Sequence, residues 1–322
     1  MPSVLDPAVL FFVFGIAAGS LRSNLEIPPA ISRFLSLYLL MALGLKGGFA
    51  LAASGFTAAV VVSLGCALAL AVVVPAMGYL LLRRFLGGFD AAAVAATYGS
   101  VSAVTFITAV QYLDTHGVPF GGHMAAAMAL MESPAIVMAV LLANLVRQRT
   151  TLATGDAAPM SIRKVLHESL TDGAQLLLLG AMAIGWLTGE AGQKAMQPFS
   201  VDLFKGMLAF FLLDMGLLAA RNMAALKTQS PWLFAYALGA PLAHAALALG
   251  LAKAVGMSAG DGTLLMVLAA SASYIAVPAV IRQAIPEANP SLYFGMSLGV
   301  TFPFNILAGI SLYAEVAQRV LG

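Results

Sequence analysis

Charge is scarce in this sequence. Asp, Glu, Lys and Arg together make up 9% of its 322 residues, against roughly 25% in a soluble domain. There is one cysteine, Cys66, in an apolar run, so no internal disulfide forms and the redox compartment is not legible. The net charge of +2 is too small to point to a nucleic acid or another polyanion. HExxH, GxSxG, a phosphate-binding glycine loop and any Cys/His cluster are missing, which removes support for a zinc protease or an ATP-driven pump. What the sequence does have is apolar surface, at 61% of residues. No soluble core could bury that much and still keep a solvated shell. A soluble enzyme, a nucleic-acid binder and a disordered chain are thereby excluded. The apolar runs are long and unbroken rather than alternating, which predicts an all-α integral membrane protein and not a β-barrel.

Charges and turn residues divide the runs into ten predicted spans, near 7–21, 30–45, 57–82, 90–113, 123–146, 173–189, 203–220, 231–253, 261–284 and 291–317. The first charge is Asp6, so Ala8–Leu21 lacks a basic leader and reads as a retained first span. Only 148–172 is polar for any length. Within it, Ile162, Val165 and Leu166 have the spacing of a short interfacial helix over Met160–Ser169. Eleven basic residues fall in or beside the odd-numbered loops and five in the even loops and termini. Positive-inside then puts the linker in the cytoplasm and both termini outside the cell's inner (plasma) membrane.

An internal repeat divides the chain into 1–147, the linker 148–172, and 173–322. An offset of 171 residues brings Asp261 onto Asp90 and Ser271-Ala272-Ser273 onto Ser100-Val101-Ser102. Pro303 falls near Pro134 at almost the same offset. Five spans per repeat is an odd number, so the copies are inverted, the mark of secondary transporters.

The two Ser-x-Ser segments interrupt apolar spans four and nine, and Pro278 disfavours helix at Val277. Helices broken there bring two half-helix N-termini together near the midplane. The hydroxyls of Ser100, Ser102, Thr105, Ser271 and Ser273 would surround them. Such a site suits a small anion, and its hydroxyls and carbonyls can hold sodium. The bland alternative is that small residues merely ease helix packing. Glu132 lies nine residues into span five, next to Ser133 and Pro134. A carboxylate at that depth should face a cavity, bind a cation or carry a proton. Lys46 could pair with the intramembrane Asp214 or extend to the interface. His244 reads as a packing histidine or a proton relay, and Asn305 as a cavity-lining residue. Sodium-driven transport, a proton-coupled carrier or exchanger, and an intramembrane enzyme using Glu132 and His244 are the competing functions.

Residues 27–48 (IPPAISRFLSLYLLMALGLKGG), 98–105 (YGSVSAVT), 132–145 (ESPAIVMAVLLANL) and 285–295 (IPEANPSLYFG) resemble the sodium-dependent bicarbonate transporter (SbtA-type) family of cyanobacteria. The resemblance runs over nearly the whole chain. It implies ten helices in two inverted five-helix repeats with broken helices four and nine, elevator-type alternating access, and a homotrimer embedded in lipid. It also implies a site for bicarbonate and sodium between the broken helices, and allows a small PII-like regulatory partner. Gly99, Ser102 and Thr105 match the first broken-helix motif, and Ser273 and Pro278 the second, with Ser271 retaining one of its serines. Ala103 and Val104 replace a glycine and a serine, Val277 a glycine, and Tyr274 an aspartate, while Glu132 replaces an aspartate and keeps the charge. The substrate set that follows is Gly99, Ser100, Ser102, Thr105, Ser271, Ser273 and Tyr274. The sodium set is Glu132, Ser102, Thr105 and Ser273.

Overall fold

The computed structural model describes residues 6–55, 57–154, 173–226, 230–274, 277–278, 280–281 and 285–322. Among them every regular element is helical, and seven stretches are long and apolar enough to cross a bilayer. The chain is a multi-pass membrane protein.

Helix α1 (Pro7–Ser20) starts where the Asp6 carboxylate accepts the Ala8 N–H and Pro7 presets the first turn. Next come α2 (Pro29–Ser54) and α3 (Ala58–Leu82), the latter capped by Thr57. Then α4 (Gly88–Gly99) and α5 (Ala103–His116) form one span interrupted at Ser100–Ser102. The first half closes with α6 (Met124–Thr154). The second half holds α7 (Gly173–Gln197), a π turn (Pro198–Asp202), α8 (Phe204–Leu226), α9 (Pro231–Val255) and α10 (Ala259–Ala270). Helix resumes at Val277, Pro278, Val280 and Ile281. The last span comprises α11 (Pro290–Met296), α12 (Phe302–Phe304) and α13 (Ile310–Leu321), joined by π turns at Ser297–Thr301 and Asn305–Gly309.

The longest helix contacts pair α1 with α8 and α2 with α7. Glycines set both. A side chain on Gly15 or Gly216 would strike the opposite backbone, and so would one on Gly44, Gly48 or Gly185. Around these pairs α3 packs on α4 and α6, α9 on α10, and α10 on α13. The α4–α5 span is 94% buried, against 39% for α9. The broken span is therefore sheltered by protein, while Trp232 and Leu238 of α9 and Val61 and Val62 of α3 face outward, as lipid requires.

Helix α2 runs nine residues past the boundary read from the sequence. Gly47-Gly48 looks like a turn, yet both glycines lie inside the helix, with Gly48 against the Met182 carbonyl of α7. Helix α6 likewise continues to Thr154, into the stretch read as linker. The interfacial helix expected over Met160–Ser169 lies outside the described residues. Leu176–Asn222 forms a 47-residue apolar stretch. At 1.5 Å per residue that is about 70 Å, more than twice a hydrocarbon core of about 30 Å. Gly189, with φ 52° and ψ −138°, breaks it.

Candidate functional site

Two chain breaks meet in the buried centre. Helix α4 stops at Gly99 because Ser100 (ψ 179°) and Ser102 (φ −103°, ψ 109°) are extended. The Ser102 hydroxyl then accepts the Thr105 N–H at 3.2 Å and the Thr105 hydroxyl at 2.9 Å, which starts α5. Helix α10 stops at Ala270, and Ser271 is extended, with φ −81° and ψ 164°. The two breaks are bonded to each other. The Ser102 N–H donates to Ser271 Oγ at 3.0 Å, and the Ser273 N–H donates to the Thr97 carbonyl at 2.9 Å. Ser271 Oγ itself donates to the Leu268 carbonyl at 2.9 Å. Ser273 Oγ accepts the Val277 N–H at 3.4 Å, at the restart of the second helix.

Sequence reasoning gave these hydroxyls one common role, and the structure divides them. Ser102, Thr105, Ser271 and Ser273 are engaged in capping and cross-linking the breaks. Gly99 has its Cα against the Pro75 ring of α3, where a Cβ would lie 2.5–2.6 Å from ring carbons. Ser100 and Tyr274 differ. Both are buried, and neither hydroxyl has a hydrogen-bond partner among the described residues. The Tyr274 hydroxyl lies close to Ser102 without bonding geometry, within electrostatic reach of Asp214, and its ring packs edge-on against Phe302 at 5.1 Å. A buried unpartnered hydroxyl costs free energy unless something else satisfies it. These two flank the residues that bond the breaks to each other. The first amides of α5, at Ala103 and Val104, have no acceptor within their helix and carry its positive dipole end. The carbonyl ends of α4 and α10 carry the opposite sign, so the crossing offers poles for an anion and for a cation.

Asn305 does not simply line this space. Its amide donates to the Ala270 carbonyl at 2.9 Å and its oxygen accepts the Tyr313 hydroxyl at 2.9 Å, so it holds the broken end of α10. Glu132 is half-buried on α6, which packs on α4 and more lightly on α10. It belongs to the same bundle as the crossing. Lys46 pairs with Asp114 at 3.1 Å and lies over the Phe204 ring, while Asp214 accepts a hydrogen bond from Ser32. The Lys46–Asp214 pairing is thus replaced by two others. His244 lines an apolar 510 Å³ cavity between α3 and α9. Its helix α9 packs chiefly on α10 and more lightly on α3.

Two acids were missed as functional parts and noticed only as register marks. Asp90 Oδ1 accepts the Asn289 N–H at 2.8 Å, and Asp261 Oδ1 accepts the Gly121 N–H at 2.6 Å. Each ties the start of one broken span to the loop before the last span of the other half. The available signal was an acid in the first turn of both α4 and α10.

No curated protein matches the chain. Residues 7–318 match the family described as the Na+-dependent bicarbonate transporter superfamily, and with nearly the whole chain covered the protein belongs to that family.

Proposed function

We propose that this protein is a sodium-coupled symporter of bicarbonate, or of a closely related small anion, working by elevator-type alternating access. It lies in the inner (plasma) membrane with both termini outside, as a lipid-embedded homotrimer. The observation that carries the reading is the buried crossing of two broken helices, with hydroxyls at Ser100 and Tyr274 that have no partner among the described residues. The anion is held by these hydroxyls and the amides of Ala103 and Val104. Sodium is held by hydroxyl oxygens of Ser102, Thr105 and Ser273, with Glu132 supplying the charge that attracts it.

Ten spans in two inverted repeats are supported by the pairing of elements. Helices α4 and α10 are each 12 residues long and coincide at an offset of 171. In repeat terms, α1 corresponds to α7 and α2 to α8, so the contact of α1 with α8 has its counterpart in the contact of α2 with α7. The contact of α3 with α4 likewise has its counterpart in that of α9 with α10, and the two Asp-to-loop hydrogen bonds correspond to each other. Those paired helices α1, α2, α7 and α8 form the scaffold, and the helices around the crossing form the moving body.

Uptake of labelled bicarbonate into proteoliposomes tests this. An inward sodium gradient should drive accumulation, and the same gradient of choline should not. Glu132→Gln keeps the shape and removes the charge, so sodium-driven uptake should collapse in a protein that still folds. Uptake equal in sodium and choline would overturn the reading. Loss of pH dependence in Glu132→Gln, with sodium irrelevant, would assign a proton instead.

A further inference from the structure

A cavity of 320 Å³ lies between α1, α5, α8 and the last span. Helix α5 lines it with Thr108, Gln111, Tyr112, Thr115 and His116, which the three- and four-residue spacing sets on one face. One turn along the same face, toward the crossing, stands Thr105, bonded to Ser102.

The chemistry of this face is one-sided. The Thr108 hydroxyl donates to the Val104 carbonyl at 2.8 Å, and the Thr115 hydroxyl to the Gln111 carbonyl at 2.8 Å. The Thr105 hydroxyl donates to Ser102 Oγ at 2.9 Å, and Gln111 gives an amide hydrogen to Thr115 at 3.1 Å. With their hydroxyl hydrogens used inside α5, Thr108 and Thr115 have only oxygen lone pairs left to offer the cavity they line, and the Gln111 amide oxygen is a further acceptor. An anion needs donors, whereas a hard cation takes neutral oxygens. The charges at the mouth cancel: Asp6 and Lys205 pair at 3.0 Å. His116 Nδ1 is engaged with the Tyr112 carbonyl at 2.8 Å, and the Tyr112 hydroxyl can donate or accept. Leu208, Ile306 and Ile310 supply the apolar wall.

We propose that this cavity is an outer sodium site, built on Thr108, Gln111 and Thr115 and leading along α5 to Thr105 at the crossing. The proposal rests on the sodium-coupled reading above and adds a place where the ion is held before it reaches the anion.

Thr108→Val exchanges a hydroxyl for a methyl group, and Gln111→Leu removes the amide oxygen. In proteoliposomes each should raise the half-saturating sodium concentration by about tenfold, the loss expected for one contact to a charged ion. Half-saturation by bicarbonate at saturating sodium should not move. If wild-type uptake depends on sodium and both variants retain the wild-type sodium dependence, the outer site is overturned while the transporter reading stands. A shift confined to bicarbonate would give the cavity to the anion and overturn it equally. A second measurement needs no transport. Tyr112→Cys puts a thiol in the cavity without removing a proposed ligand, and the one native cysteine, Cys66, is buried. In detergent, sodium should suppress most of its modification by a methanethiosulfonate reagent, and the same concentration of potassium should not. Equal modification in the two salts refutes the site whatever the uptake assay gives.

Discussion

Ser100 and Ser102 are two positions apart and have opposite attachments. Ser102 Oγ starts α5 by accepting from Thr105, while Ser100 Oγ has no partner among the described residues. Ser102→Ala should therefore lower folding stability by about 1 kcal/mol, the usual cost of an N-cap. Ser100→Ala deletes an unsatisfied group, so the unfolding midpoint should hold while anion affinity falls about tenfold or more. Thermal melts beside bicarbonate-binding isotherms separate the two. A Ser100→Ala protein that melts early and binds normally would remove that hydroxyl from the site. The sequence marked both serines, through Ser-x-Ser and Pro278, as the place where the spans break. It could not tell them apart, because the atom that meets the Ser102 amide belongs to Ser271, 169 residues away. For the same reason Asn305 reads as cavity lining when its amide holds the Ala270 carbonyl.

Whole helices were legible where composition decides them. The long apolar runs foretold the membrane-length helices. Boundaries governed by contact with a distant helix were not. Gly47-Gly48 carries turn chemistry in isolation, and only the closeness of α7 makes it helix interior. Pairs of glycines test this at the scale of an element. Gly99→Ala would push a methyl group into the Pro75 ring and should cost about 1–3 kcal/mol, as overpacking does. Gly65, inside α3, has open space around it. Gly65→Ala should be neutral or stabilising by about 0.5–1 kcal/mol. Chemical or thermal unfolding of the purified variants reads both, and equal effects would contradict the packing of α3 on α4. The start of α6 carries a pH signature. Burial holds the His123 imidazole below its ordinary 6.5, with Asp261 pulling the other way. The unfolded chain then takes up a proton near that pH that the folded chain refuses, so stability declines as pH falls below about 6.5. The drop in melting temperature between pH 7.5 and 5.5 should be smaller in His123→Gln than in wild type.

For the molecule as a whole, the membrane class followed from scarce charge and long apolar runs, and the proposed repeat rests on the 171-residue offset of Asp90 and Asp261. The exchange of partners between halves did not, since pairing of α1 with α8 and of α2 with α7 leaves no local trace. The proposed ten spans fix a topology that single cysteines can read. With Gly155→Cys in the linker and Val320→Cys near the end of the chain, an impermeant thiol reagent applied from outside should label only position 320. Labelling of both from the same side would rule out ten spans. The exchanged bonds also set a timetable for biogenesis. Thr97 and Ser102 leave the ribosome long before Ser271 and Ser273, the residues that complete them. At synthesis rates of roughly 5–20 residues per second, that is a wait of about 10–30 s. Throughout it, a helix already broken in the bilayer has polar backbone without its final partners. The first half must be sheltered by water, lipid headgroups or the insertion machinery until the second arrives. A nascent chain stalled between the two halves is thus the form most exposed to membrane quality control.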